Sequence, residues 1–305
     1  MMGENAMQEY GNWGGAWAAI PTPFDDEGRV DAAALRRHVE FLCLHHIDGI
    51  VACGTTGEAA TMSASEKSSV IKVVIETVAH RVPVIAGVGT NDTRTTIENV
   101  RLAEDGGVDG VLAVVPFYNK PNQEGQYRHF MTVAEASHVP ILLYDVPGRT
   151  GAHCQPATVG RLARHPRIVG IKDATGNMVN ASQVRIAAGL DFLLFSGDDG
   201  TSLPFVSVGG VGAISVVANV APELMHEIIH RARTGDYETA RKLHERMLPL
   251  FSALFSDTSP IPLKAMLARS PLHYPENLRS PLFSMLPEDG DRLCEPFQDV
   301  IEAMR

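Results

Sequence analysis

The feature that most constrains this chain is a repeat of short apolar runs, each closed by turn residues and each followed by a helical segment. The runs begin near residues 16, 49, 83, 110, 140, 168, 192 and 212. They lack the polar alternation of a half-exposed strand, as expected when both faces are buried in a parallel sheet. Helix signals lie between them. Asp31 is placed to cap 32–46, Ser63 and Glu66 form a capping box for 63–79, Gly106-Gly107 stops 93–104, and Pro156 opens a further helix. Further helical stretches run over 123–136 and from about 178. Eight βα units within roughly 220 residues are the pattern of a closed (β/α)₈ barrel, the TIM barrel. An open doubly wound sheet would more often carry a glycine-rich phosphate loop after its first strand. Here that position holds Pro21-Thr22-Pro23. No strand pattern appears beyond about Glu223, and 226–234, 237–255, 261–268 and 289–304 read as helices. The expected organisation is therefore a leader over 1–15, a catalytic barrel over 16–235 and a C-terminal helical appendage over 236–305.

Composition removes several function classes. A formal net charge of −10 argues against nucleic acid and anionic membrane as partners, because both reward clustered cations. No apolar stretch approaches the roughly 20 residues of a membrane span. The first ten residues carry Glu4, Asn5, Gln8 and Glu9, unlike a signal peptide. Cys43, Cys53, Cys154 and Cys294 show no C-x-x-C spacing, which suits reduced thiols in a cytoplasm better than disulfides or zinc. The expectation is a soluble cytoplasmic protein.

In a barrel of this kind the chemistry lies at the carboxyl ends of the strands, so residues just after each run are the candidates. Of six lysines only Lys172 sits at the end of an apolar strand, Ile168-Val-Gly-Ile-Lys172. Desolvation of an ammonium costs several kcal/mol, which is relieved by pairing, by reaching water or by losing the proton. The bland reading pairs Lys172 with a carboxylate such as Asp173; the other makes it a nucleophile, with its pKa lowered toward roughly 7–8. Neighbouring strand ends supply Gly54-Thr55-Thr56-Gly57-Glu58, Phe117-Tyr118-Asn119, Tyr144 with Arg149 beyond, and Gly197-Asp198-Asp199. Taken singly, the hydroxyl-rich stretch could be a plain turn, the tyrosines could cap the core and Arg149 could be a surface cation. Together they fit a lysine Schiff base, which needs a proton shuttle such as a tyrosine and a cradle of backbone N–H groups for a keto-acid carboxylate. His38, His45 and His46 share one amphipathic helix without a carboxylate or cysteine at ligand spacing, so a metal centre is not expected and the three read as surface histidines.

Six motifs in order resemble those of the dihydrodipicolinate synthases, within the class I pyruvate-dependent aldolase and N-acetylneuraminate lyase family. They are Gly54-Thr-Thr-Gly-Glu58, Pro116-Phe-Tyr-Asn119, Tyr144-Asp-Val-Pro-Gly-Arg-Thr-Gly151, Ile171-Lys-Asp-Ala-Thr-Gly-Asn177, Ser196-Gly-Asp-Asp199 and Ala213-Ile-Ser-Val-Val-Ala-Asn219. The resemblance runs from about Ala16 to the end. It implies that Lys172 forms an imine with pyruvate, that Tyr144 donates and accepts the proton, and that Thr55 and Tyr118 complete the relay. It further implies that Thr56 and Ile214 hold the pyruvate moiety with Gly197 beside it, and that Arg149 receives the carboxylate of aspartate 4-semialdehyde. No cofactor or metal is implied. In that family the second tyrosine reaches in from a neighbouring subunit, so the resemblance implies a homo-oligomer, a dimer or a dimer of dimers.

The chain departs from the lysine-inhibited pattern at Ala59, Ala64, Lys67, Thr95 and Phe117, with Asn91 retained. Weak or absent inhibition by lysine is expected. Two alternatives stand beside this reading: a sister N-acetylneuraminate lyase or keto-deoxy-sugar-acid aldolase or dehydratase, and a non-catalytic barrel that binds a small molecule. Thr55-Thr56, Tyr118 and Arg149 weigh against the first, and the intact set of Lys172, Tyr144, Thr55 and Tyr118 against the second.

Overall fold

The computed structural model describes residue 10 and residues 13–305. Residues 1–9, 11 and 12, which include most of the expected leader and the polar stretch read against a signal peptide, lie outside the described residues. Eight parallel strands close into a barrel in chain order. They are β1 (Gly15–Ala19), β2 (Gly49–Ala52), β3 (Val84–Gly87), β4 (Gly110–Val114), β5 (Ile141–Asp145), β6 (Ile168–Asp173), β7 (Leu193–Ser196) and β8 (Gly212–Ser215). The ring closes where Ala16 and Trp17 of β1 pair with Ala213 and Ile214 of β8.

Two apolar layers follow from strand alternation. Inside the barrel lie Trp17, Val51, Ile85, Leu112, Leu142, Leu193, Phe195 and Ile214, with Trp13 packed against them. The rings of Trp13, Trp17 and Phe195 meet edge-on, with centroids 5.4 and 5.5 Å apart. This is an arrangement that the aromatic quadrupole favours. The barrel is thus a filled core. Outside it, Ile50, Val84, Val111, Ile141, Leu143 and Ile171 pack against the helices.

The helix signals act as read. Asp31 accepts hydrogen bonds from the N–H groups of Ala33 and Ala34 at the start of Ala32–Leu44. The Ser63 and Glu66 capping box is present at the start of Ala64–Val78. A short helix, Ser202–Ser207, fills the connection between β7 and β8, as expected of the segment after each strand. One piece differs from expectation. The stretch expected as one helix over 289–304 is broken at Glu295–Phe297, where Pro296 has no N–H to continue the ladder.

One reading is corrected. His38 is not a surface histidine: it is fully buried, and its Nε2 lies 3.1 Å from the carbonyl oxygen of Asn219. It shares the face of Leu35, Val39 and Leu42, and the C-terminal part of the chain covers that face. Burial pushes its pKa down to about 4, so it is neutral at physiological pH. No helix among the described residues is long and apolar enough to cross a membrane.

Candidate active site

Parallel pairing sets Tyr144 of β5 directly beside Lys172 of β6. Two residues earlier on each strand Leu142 pairs with Gly170, so period-two alternation turns Tyr144 and Lys172 toward the barrel axis at its carboxyl end. Lys172 is 6 % exposed, and its Nζ lies 4.4 Å from the centroid of the Tyr144 ring. It forms no ion pair among the described residues. Asp173, the partner of the bland reading, faces away from the axis, where it accepts hydrogen bonds from Thr175 N–H and the Asn180 amide. Desolvation lowers the Lys172 pKa to about 8; the charge of Asp199 works against this and that of Arg149 adds to it. On the order of a tenth of the molecules then hold a neutral, nucleophilic amine at pH 7.

Tyr144 is also buried, which raises its pKa. The positive charge of Arg149 and a side-chain hydrogen bond from Thr55 pull the other way. The phenol therefore stays protonated at rest, while its ionised form has stabilising partners at hand.

Thr55 is supplied by a tight turn after β2. Cys53 and Glu58, at its two ends, take left-handed conformations with φ of 52° and 54°, which cost roughly 1–3 kcal/mol each for residues with a Cβ. The turn is closed by Glu58 N–H to Thr55 O at 3.1 Å and Ala59 N–H to Gly54 O at 3.4 Å, and it is held from below by Thr22 Oγ1, which donates to Gly57 O at 2.7 Å. Thr55 is left on the open side and Thr56 is buried. Gly87 permits this approach: a Cβ there would lie 2.3 Å from Cys53 O.

Of the other expected residues, Gly197 packs against the lysine stem. A Cβ at that position would stand 2.9 Å from Lys172 Cε and 2.8 Å from Ala174 Cβ, so glycine is the residue that leaves Lys172 its room. Ile214 lines the interior one residue before the end of β8. Arg149 sits in a one-turn helix, Pro147–Thr150, with its guanidinium donating to Ser259 O at 3.1 Å. Tyr118 stands apart from this group within one chain. It is 87 % exposed, with φ of 69°, and its N–H reaches Thr150 O at 3.4 Å.

Sequence reasoning left three groups unassigned. Asp199 is buried near Lys172, its Oδ2 accepting from Val216 and Val217 N–H at 3.1 Å, with the Ser215 hydroxyl also against the carboxylate. Asp145, on the outer face behind Tyr144, is bonded at 2.6 Å to His153 Nδ1, and burial raises its pKa to about 6 despite that partner. Glu58 is bonded at 2.6 Å to Lys264, 206 positions away. The signal for this last pair was present: Lys264 is the one charge in the apolar helix Ile261–Ala268. Among the described residues no group of three or more His, Cys, Asp or Glu side chains is placed to hold a metal ion.

The model of the dihydrodipicolinate synthetase family matches residues 12–296. A 4-hydroxy-tetrahydrodipicolinate synthase of Pseudomonas aeruginosa is 45 % identical over 95 % of this chain and 97 % of its own length. Among solved structures, the chloride-inhibited dihydrodipicolinate synthase of Acinetobacter baumannii, complexed with pyruvate, superposes with a TM-score of 0.92 at 40 % identity, covering 95 % of this chain and 99 % of that one. A monomeric dihydrodipicolinate synthase variant superposes equally well, with a TM-score of 0.92 at 34 % identity over 95 % of this chain and 98 % of its own.

Proposed function

Because this chain belongs to the dihydrodipicolinate synthetase family, we propose that its buried lysine, Lys172, is the residue through which it carries out that family's reaction. The chain is a lyase of the Schiff-base aldolase kind and forms 4-hydroxy-tetrahydrodipicolinate, in the route to diaminopimelate and lysine. The substrates are pyruvate and aspartate 4-semialdehyde. The neutral Lys172 amine adds to the keto carbon of pyruvate, and loss of water from the carbinolamine leaves the imine. Removal of a methyl proton gives the enamine, whose carbon attacks the aldehyde. The amino group of the incorporated semialdehyde then closes on the imine carbon and expels Lys172 with its proton restored.

Tyr144 is the group in reach of the proton at each of these steps, with Thr55 and the Tyr118 of a second copy completing the relay. Thr56, Ile214 and Gly197 border the pyruvate, and Arg149 takes the semialdehyde carboxylate. The observation that carries this assignment is the Lys172 amine, without an ion pair among the described residues, 4.4 Å from the Tyr144 ring centre and with its pKa lowered to about 8. No external cofactor takes part in this chemistry, because the electron sink is the imine itself. The exposed Tyr118 favours a homo-oligomer in which it is covered. The place of action is the cytoplasm.

The test offers purified protein pyruvate with aspartate 4-semialdehyde and, separately, sialic acid. Turnover of the first pair supports the assignment, and faster cleavage of sialic acid rejects it in favour of a sister lyase. Lysine sensitivity is a separate expectation. Thr95 is already engaged, its hydroxyl donating to Asp92 Oδ1 at 2.7 Å, and Ala59 and Ala64 offer no side-chain acceptor for an ammonium. Inhibition by lysine is expected to be weak or absent, and inhibition in the submillimolar range would overturn that expectation.

A further inference from the structure

Two of the residues assigned above are tied to one short segment of the C-terminal region. Glu58 closes the turn that carries Thr55 and Thr56, and its carboxylate is almost completely buried. Its Oε1 accepts from Lys264 Nζ at 2.6 Å, and its Oε2 from Arg279 N–H at 2.9 Å. Lys264 has no exposed surface, stands 4.5 Å from the centroid of Phe24, and gives a second hydrogen bond to Asn277 O at 2.7 Å. Arg149 reaches the same segment, donating to Ser259 O. The surrounding chain is pinned to the barrel mouth as well: Tyr274 OH donates to Pro21 O at 2.8 Å and Asn277 to Phe24 O at 3.2 Å.

We propose that 259–264 is a strut that sets the active-site geometry, with Lys264 and Glu58 as positioning residues for the Thr55-Thr56 turn and Ser259 as the anchor for Arg149. A purely structural ion pair could sit anywhere in the interface between barrel and appendage. This one ends on a residue held in the left-handed region, three positions from Thr55, and the next contact along the segment ends on the expected carboxylate-binding arginine. A turn with two left-handed non-glycine residues relaxes unless the surrounding structure over-determines it. Here the determining contacts come from a part of the chain about 200 positions further on, with a separation of 206 for the Glu58–Lys264 bond. The proposal rests on the assignment of Thr55, Thr56 and Arg149 made above.

The variant to make is the double change Glu58→Gln with Lys264→Met, which removes both buried charges together, leaves an acceptor for Arg279 N–H and fills the lysine volume, since a lone buried charge would unfold the site. The parent is first trapped with pyruvate and borohydride. A parent that forms no adduct at Lys172 refutes the catalytic reading, independently of the strut. With an active parent and a cooperatively melting double variant, the expected result is that pyruvate still forms the adduct while kcat falls tenfold or more and KM for the semialdehyde rises severalfold. A folded double variant with the parent's kcat and both parent KM values overturns the proposal. If the double variant does not fold, Glu58→Gln alone decides. Its amide oxygen still accepts from Arg279 N–H, while its amide N–H2 can only donate, so Lys264, already lowered to a pKa of about 8, must sit there neutral and accept. The charged hold on the turn is lost, kcat is expected to drop about threefold, and an unchanged kcat rejects the strut.

Discussion

Lys172 and Lys264 are a matched pair with opposite fates. Both are buried, both hold Nζ near an aromatic ring, at 4.4 Å from the Tyr144 centroid and 4.5 Å from that of Phe24, and desolvation lowers both to a pKa of about 8. The difference lies in the remaining neighbours. Lys264 is saturated by Glu58 Oε1 and Asn277 O in a closed interface, so at neutral pH it is an ammonium with nothing to attack. Among the described residues Lys172 has no bonded carboxylate; it lies at the open mouth, where the charge of Asp199 favours its protonated form. A lowered pKa alone therefore does not single out the proposed nucleophile; the absent partner and the open approach are what set Lys172 apart from Lys264.

The sharpest way to break this comparison is to delete each amine in turn. Lys172→Met should lower kcat by at least roughly 10³-fold, because covalent catalysis is lost outright. The fold should remain and the melting temperature should not fall, since no ion pair is removed and a buried amine is replaced by an apolar group of similar length. The same change at Lys264 alone strands Glu58 without a counter-charge and should lower stability by about 3–5 kcal/mol, read by chemical denaturation. Equal loss of stability at the two sites would show that Lys172 is also a structural cation.

Tyr144→Phe comes next in size. It keeps the ring beside Lys172 and removes only the hydroxyl bonded by Thr55. A drop of about 10²–10⁴-fold in kcat is expected for the loss of a general acid–base group. A variant with parent turnover would show that another residue moves the proton. A smaller effect tests the space around the nucleophile. Gly197→Ala would bring a methyl to 2.9 Å from Lys172 Cε, so the lysine must move off its pose, and imine formation should slow by about tenfold, on the scale of a misplaced catalytic group.

The most modest effect separates the lysines by pH. With Lys172 near 8, kcat/KM for pyruvate should rise with pH and level off above about 8, reporting the free enzyme. Stability carries the same signature. The native state binds its Lys172 proton less tightly than the unfolded chain, so this site penalises folding below about 8, and the penalty fades as pH rises from 8 toward 10.5. Lys172→Met should make that part of the stability curve less steep, leaving the share that Lys264 contributes. A parent profile without an inflection near 8 would contradict the lowered pKa.

Much of this comparison was legible in the sequence, and what was hidden follows a rule. Lys172 announced itself because its setting is local: an apolar strand, a turn and a motif within ten residues. The same holds for the barrel, whose strands and helices are each written in a contiguous stretch. Lys264 was passed over as one more helical lysine because its partner lies at position 58, and a single sequence does not say which distant carboxylate covers which cation. His38 failed differently. Its spacing from Leu35 and Leu42 placed it on the apolar face, yet a histidine there was read by its polarity instead of its position. The Asp145–His153 pair needed the β5 end and the loop after Thr150 to fold back on each other, a contact no periodicity encodes.

The central claim is that, of two buried and similarly perturbed lysines, only Lys172 reacts. Incubation with pyruvate and borohydride followed by peptide mass spectrometry tests it directly. The account predicts a single reduced pyruvate adduct on Lys172 and an unmodified Lys264. An adduct on Lys264, or none on Lys172 in protein that turns over its substrates, would contradict it.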